Sequence, residues 1–174
     1  MSIDEYSELN LTIKLIFAIS VFFGLIGFSI AFISQFEIKF LKYRKVGIIL
    51  IFNAIFFGFL TYNTYTNMIE KIRKEVKMIV NDADTKIYQQ DEVFGEFSSK
   101  ELKDEILKMK DYNSHHSGYG EGMGLTIVNK KIKTFHLTLY RDTQISNEYW
   151  VFSDKYDFMT TDDEIGRIHS DILN

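Results

Sequence analysis

The chain has 174 residues, a formal charge of −4, no cysteine and no proline. Without cysteine it has no disulfides, thiolate metal sites or cysteine nucleophiles, and without proline its helices are not kinked by that route. Residues 67–174 carry fifteen Lys and Arg against twenty Asp and Glu; an acidic segment with no basic face is poorly suited to neutralising phosphates, so no nucleic-acid partner is expected.

Residues 1–14 form an N-terminal tail holding Asp4, Glu5, Glu8 and a single lysine, unlike the basic start of a cleavable secretory signal. Residues 15–34 then run without a charge. At about 1.5 Å per helical residue that stretch is long enough to cross the hydrocarbon core of a bilayer. A connector over 35–45 contains Lys39, Lys42, Arg44 and Lys45, and a second apolar span follows over 46–62. Residues 15–62 therefore read as a transmembrane helical hairpin. The basic connector, against an acidic tail, predicts the connector inside and both termini outside the cytoplasm, as in a multi-pass protein of a cell's inner membrane.

Small residues predict how the two spans meet. Ser20, Gly24, Gly27 and Ala31 share one face of the first, and Ala54 and Gly58 form a small-xxx-small pair on the second. Asn53 is the strongly polar residue deep in the second span. In hydrocarbon it needs a partner, such as Ser29 or Asn53 of another copy; a pore or relay role is the functional alternative to packing.

Tyr62, Tyr65, Ile69, Ile72, Val76 and Ile79 continue at spacings of three and four, predicting a stalk helix over 63–74. Its seam faces either the protein's own domain or a second copy, so a homo-oligomer through the spans and stalk is open. Residues 75–174 read as a soluble α+β domain. Alternation predicts a hairpin of 75–81 with 85–90. Ser98 and Glu101 form a capping box for a helix ending near Lys110, with Leu102, Ile106 and Met109 inward. Residues 111–124 have loop composition, 125–128 and 132–141 read as strands around a turn, and 148–153 as another strand. A last capped helix is expected from Thr161 and Glu164 through Ile165, Ile168 and Ile172. The sum is an antiparallel sheet of about five strands with two helices.

Four places could carry chemistry. His115 and His116 could join Glu121 or His169 at a metal, but adjacent histidines rarely serve one ion, and neither metal nor cofactor is expected. Ser117 beside His116 is not a triad, because the base must reach the serine through the fold. Asp162, Asp163 and Glu164 complement a helix N-terminus. Arg141 and Asp142 near Tyr149 and Trp150 form either a strand-end ion pair with a turn or a recognition edge, arginine and aromatics being the residues of binding hot spots.

In layout, two short spans fused to a small strand-rich domain, the chain resembles two groups of compact bacterial membrane proteins. One is the two-span effectors of antiphage signalling systems, whose cytosolic domain senses a nucleotide; the other is the membrane-bound immunity proteins that neutralise a toxin from outside. No catalytic residue is assigned. The expected function is a non-catalytic, extracytoplasmic interaction module anchored in the bilayer. It would engage a protein or small-molecule ligand through Arg141, Asp142, Tyr149, Trp150, His115 and His116. The alternative is an effector whose spans associate and disrupt the membrane when its cytosolic domain binds a ligand.

Overall fold

A computed structural model describes residues 3–90, 97–111, 117–130, 134–154 and 164–173. The chain divides into two compact units, Met1–Met68 and Ile69–Asn174.

In the first unit α1 (Ile3–Ile33) leads through a 3-10 helix (Ile38–Tyr43) into α2 (Arg44–Asn81). The N-terminal tail is thus helical from Ile3 and continuous with the first apolar run. Both helices are long and apolar enough to cross a membrane. Their large apolar side chains point outward: Leu15, Phe22, Phe28, Ile49, Phe52, Ile55 and Phe59 are each between 61 and 67% exposed. A water-soluble helix pair would turn such a stripe inward. The helices meet over small residues. A Cβ added at Gly27 would lie 2.6 Å from the Gly47 carbonyl oxygen, and one at Gly24 would lie 2.8 Å from the Ala54 Cβ. Two hydroxyls turn back onto their own helices, Ser29 to the Leu25 carbonyl and Thr61 to that of Phe57.

The second unit begins within α2, which continues past Lys74 to Asn81. The strand expected over 75–81 is therefore helix. Met78 is 68% exposed while Ile72, Val76, Ile79 and Val80 are buried, a helical stripe; the apparent alternation at 76, 78 and 80 came from reading an i, i+4 pair as a strand face. Five strands follow: β1 (Lys86–Gln89), β2 (Tyr119–Val128), β3 (Phe135–Asp142), β4 (Glu148–Ser153) and β5 (Gly166–His169), with α3 (Ser99–Leu107) between β1 and β2. The sheet order is β1-β2-β3-β4-β5, antiparallel throughout. The fold is thus a helical hairpin plus a small α+β unit.

The capping box at α3 is present. Ser98 Oγ accepts the Glu101 N–H at 3.3 Å, and the Ser98 N–H donates to Glu101 Oε2 at 2.8 Å. The hydrogen bond from the Ser98 side chain, then that from its backbone, lowers the Glu101 carboxyl pKa. Two other expectations are corrected. The glycine-rich run 119–124, read as loop, is the first half of β2, paired with β3 from Tyr119 opposite Asp142 to Ile127 opposite Phe135. The last element is a strand: the described residues 164–173 contain β5, whose Ile168 pairs with Tyr149 and Arg167 with Trp150. Thr161, the expected cap, lies outside the described residues. A spacing of three between Ile165 and Ile168 suits a helix, but Gly166 weakens one, and the ladder of β4 supplies backbone partners that local propensity cannot outweigh.

One face of the sheet is the core. Met123, Leu125, Ile127, Phe135, Leu137, Leu139, Val151 and Ile168 lie there with Leu102, Ile106 and Met109 of the α3 region, all buried. A Cβ added at Gly166 would meet Met109 Cγ at 2.7 Å and Arg73 Nε at 3.0 Å, so α2 and the end of the α3 segment lie over β5. Both edges are occupied: the Ser99 hydroxyl accepts the Ile87 N–H at 2.9 Å, and Lys110 bridges Arg167 by two backbone bonds. Such cover blunts edge-to-edge pairing with other chains.

Candidate functional site

The alternation that buries one sheet face places the intervening residues on the other. Tyr88, Tyr119, Thr126, His136, Thr138, Tyr140 and Phe152 occupy it, each exposed or half-buried. Two glycines shape it. A Cβ at Gly122 would lie 2.7 Å from the Tyr140 ring, and one at Gly124 would lie 2.5 Å from Gln90 Oε1, so both side chains lie down on bare strand.

The aromatic part is a cluster. The Tyr119 ring centroid lies 4.8 Å from Trp150, 5.3 Å from Phe152 and 5.7 Å from Tyr140, and Tyr140 lies 5.5 Å from Phe152. Most of these pairs are edge-to-face, the arrangement the ring quadrupoles favour. Beneath it, the Arg167 guanidinium stacks 3.9 Å from the Trp150 ring centroid. Its Nη1 donates to Glu148 Oε1 at 3.0 Å, its Nε donates to both Glu164 oxygens at 3.0 Å, and Glu148 Oε2 meets His169 Nε2 at 2.6 Å. Arg167 and Glu148 are each 2% exposed, so their charges stay in the interior through this set of partners. Burial pushes the Glu164 carboxyl up, against its bonds to Arg167.

Beside the rings is a polar cluster. Gln90 Nε2 donates to Thr126 Oγ1 at 2.7 Å and lies 2.9 Å from His136 Nδ1. The face thus offers ring surfaces next to a donor–acceptor set, a pairing that recurs in ligand sites.

No family model, curated protein or solved structure matches this chain. Its own geometry is therefore the basis for reading the site.

The sequence-derived candidates are distributed differently from the expected edge. β4 is an inner strand between β3 and β5, and the expectation of an exposed edge at Tyr149 and Trp150 is corrected accordingly. Tyr149 is fully buried on the core face, its hydroxyl donating to the Leu173 carbonyl. Burial raises its pKa, with Arg141 opposing. Trp150 is on the opposite face, 8% exposed beneath Tyr119. Asp142 is buried and organises the β3–β4 turn: it accepts the Ser117 hydroxyl, the Gln144 N–H at 2.7 Å, the Ile145 N–H at 2.8 Å and Trp150 Nε1–H at 2.8 Å. Burial alone would raise its pKa, but these four donors outweigh it and hold the carboxyl at about 2. Arg141 is half-buried, its Nε donating to the Ser146 carbonyl at 3.0 Å. His115 and His116 lie outside the described residues, and among the described residues no group of three His, Asp or Glu side chains could hold a metal.

In the first unit Gly24 faces Ala54 and Gly58 faces the Phe17 ring, whereas Asn53 is exposed. The sequence reading missed Tyr119, Phe152, His136 and Arg167 as one surface. The alternation 134–140 was visible, but Tyr119 sat in presumed loop and Arg167 in a presumed helix, so nothing placed them beside it.

Proposed function

We propose that this chain is a two-span inner-membrane protein presenting a non-catalytic α+β binding unit outside the cytoplasm. The unit engages a protein or small-molecule ligand on the half-open face of its sheet. One observation carries the reading: the cluster of Tyr119, Tyr140 and Phe152 over Trp150, bordered by Gln90, Thr126 and His136. Rings held in place by one another lose little freedom on binding, and the adjacent amide, hydroxyl and imidazole supply direction. The ligand chemistry this suits is a flat apolar group with a hydrogen-bonding edge. The outward phenylalanines of α1 and α2 support the membrane anchor, which fixes where the unit meets its ligand. Lys39, Lys42, Arg44 and Lys45 between the spans support the connector inside and the unit outside.

The test places photoreactive benzoylphenylalanine at Tyr140 or, on α3, at exposed Lys100 in the full chain in its membrane. The proposal expects an adduct from position 140 that is lost on Tyr119→Ala with Phe152→Ala. The same adduct from both positions, or none from 140, would refute it.

The second reading is a membrane effector whose unit lies in the cytosol and senses a ligand such as a nucleotide. The observation in its favour is the exposed amide of Asn53 within a span, a group suited to bringing spans together.

A further inference from the structure

We propose that two copies of this chain associate inside the membrane through Asn53, each carboxamide hydrogen-bonding the other. The inference rests on the reading of α1 and α2 as membrane spans. Asn53 stands midway along the second apolar run, where a bilayer supplies neither donor nor acceptor. Its side chain is exposed, and among the described residues it makes no hydrogen bond within the chain. Ser29, the nearest expectation for a partner, spends its hydroxyl on the Leu25 carbonyl.

The contact with α1 does not include it. That contact uses Gly47, Leu50, Ala54 and Gly58 against Gly27, Gly24 and Phe17. Asn53 is one residue, about 100°, round the helix from Ala54. Its neighbours at helical spacing, Ile49 and Phe56, are 64 and 57% exposed, so the amide sits within an apolar outward stripe open to another helix.

The occupant is a second copy because a carboxamide is self-complementary. It donates through its N–H and accepts through its oxygen, so a two-fold axis beside Asn53 gives each amide one donated and one accepted bond, with Ile49 and Phe56 packing around them. Lipid tails satisfy neither group.

The experiment uses the full chain in phosphatidylcholine vesicles, labelled at a single cysteine replacing Lys100, with energy transfer between donor- and acceptor-labelled copies followed as lipid dilutes protein. The wild type is expected to associate reversibly, Asn53→Leu to weaken association about five- to thirty-fold, and Asn53→Gln to restore most of it. A wild type that is monomeric at every dilution, or an Asn53→Leu chain that associates equally well, would overturn the pairing. Alkaline extraction of the same vesicles separates the two readings. A wild type that stays in the bilayer but does not pair refutes the Asn53 contact alone; one that washes off refutes the membrane reading and the contact together.

Discussion

Asp142→Asn isolates the residue that ties the β3–β4 turn to the aromatic face. One carboxylate oxygen accepts the Gln144 and Ile145 N–H groups, and the other accepts Ser117 Oγ–H and Trp150 Nε1–H. An amide keeps one oxygen. With that oxygen on the two backbone groups, its NH2 confronts the indole N–H, a donor against a donor; the reverse orientation confronts two backbone donors. Losing a charge-assisted bond and stranding a buried donor costs about 2–4 kcal/mol. Linkage gives a similar figure. Holding the carboxyl at about 2 rather than 3.8 corresponds to about 2–3 kcal/mol. Because the folded value is the lower one, this stability is present above about pH 4 and is lost as pH falls toward 2. The assay is urea unfolding of the full chain in detergent, followed by the fluorescence of Trp150, the single tryptophan. The variant is expected to lose about 2–4 kcal/mol at pH 7 and to lose less further stability than the wild type between pH 4 and 2. A loss below about 0.5 kcal/mol, or unchanged acid sensitivity, would refute the argument.

Other substitutions probe the remaining parts. Arg167→Met takes from buried Glu148 its guanidinium partner, leaving the contact with His169, and should cost about 3–5 kcal/mol in the same assay, most of it recovered by adding Glu148→Gln; an equal loss in the double variant would contradict the pairing. Ser98→Ala removes the α3 cap and should cost about 1 kcal/mol, with no change in the denaturant slope. Cysteines replacing Gly24 and Ala54 are expected to crosslink in an otherwise cysteine-free chain. Gly27→Leu, with no room beside Gly47, should abolish that crosslink.

The sequence was most informative where one physical demand dominates. Twenty uncharged residues in a row specify a long apolar helix, and Ser98 with Glu101 fixes a helix start through two local bonds, so both were legible. Strand 148–153 was legible through alternation. The errors arose where tertiary partners decide. Val76 and Val80 suit either period until the core shows Met78 facing outward. Residues 119–124 look like loop because the glycines that weaken a strand also make room for Tyr140 and Gln90. Residues 164–169 become strand because β4 has backbone groups to pair. The candidate face was obscured for the same reason: its rings come from β2, β3 and β4, and its buried arginine from β5, so it exists only once the register is set.

The most direct test of the account is a topology measurement on the full chain, with a reporter active only outside the cytoplasm, or one active only inside, fused after residue 174. The account predicts signal from the outside reporter and none from the inside one, with the protein retained in membranes after alkaline extraction. Signal from the inside reporter would contradict the extracytoplasmic binding unit and favour the cytosolic, ligand-sensing effector.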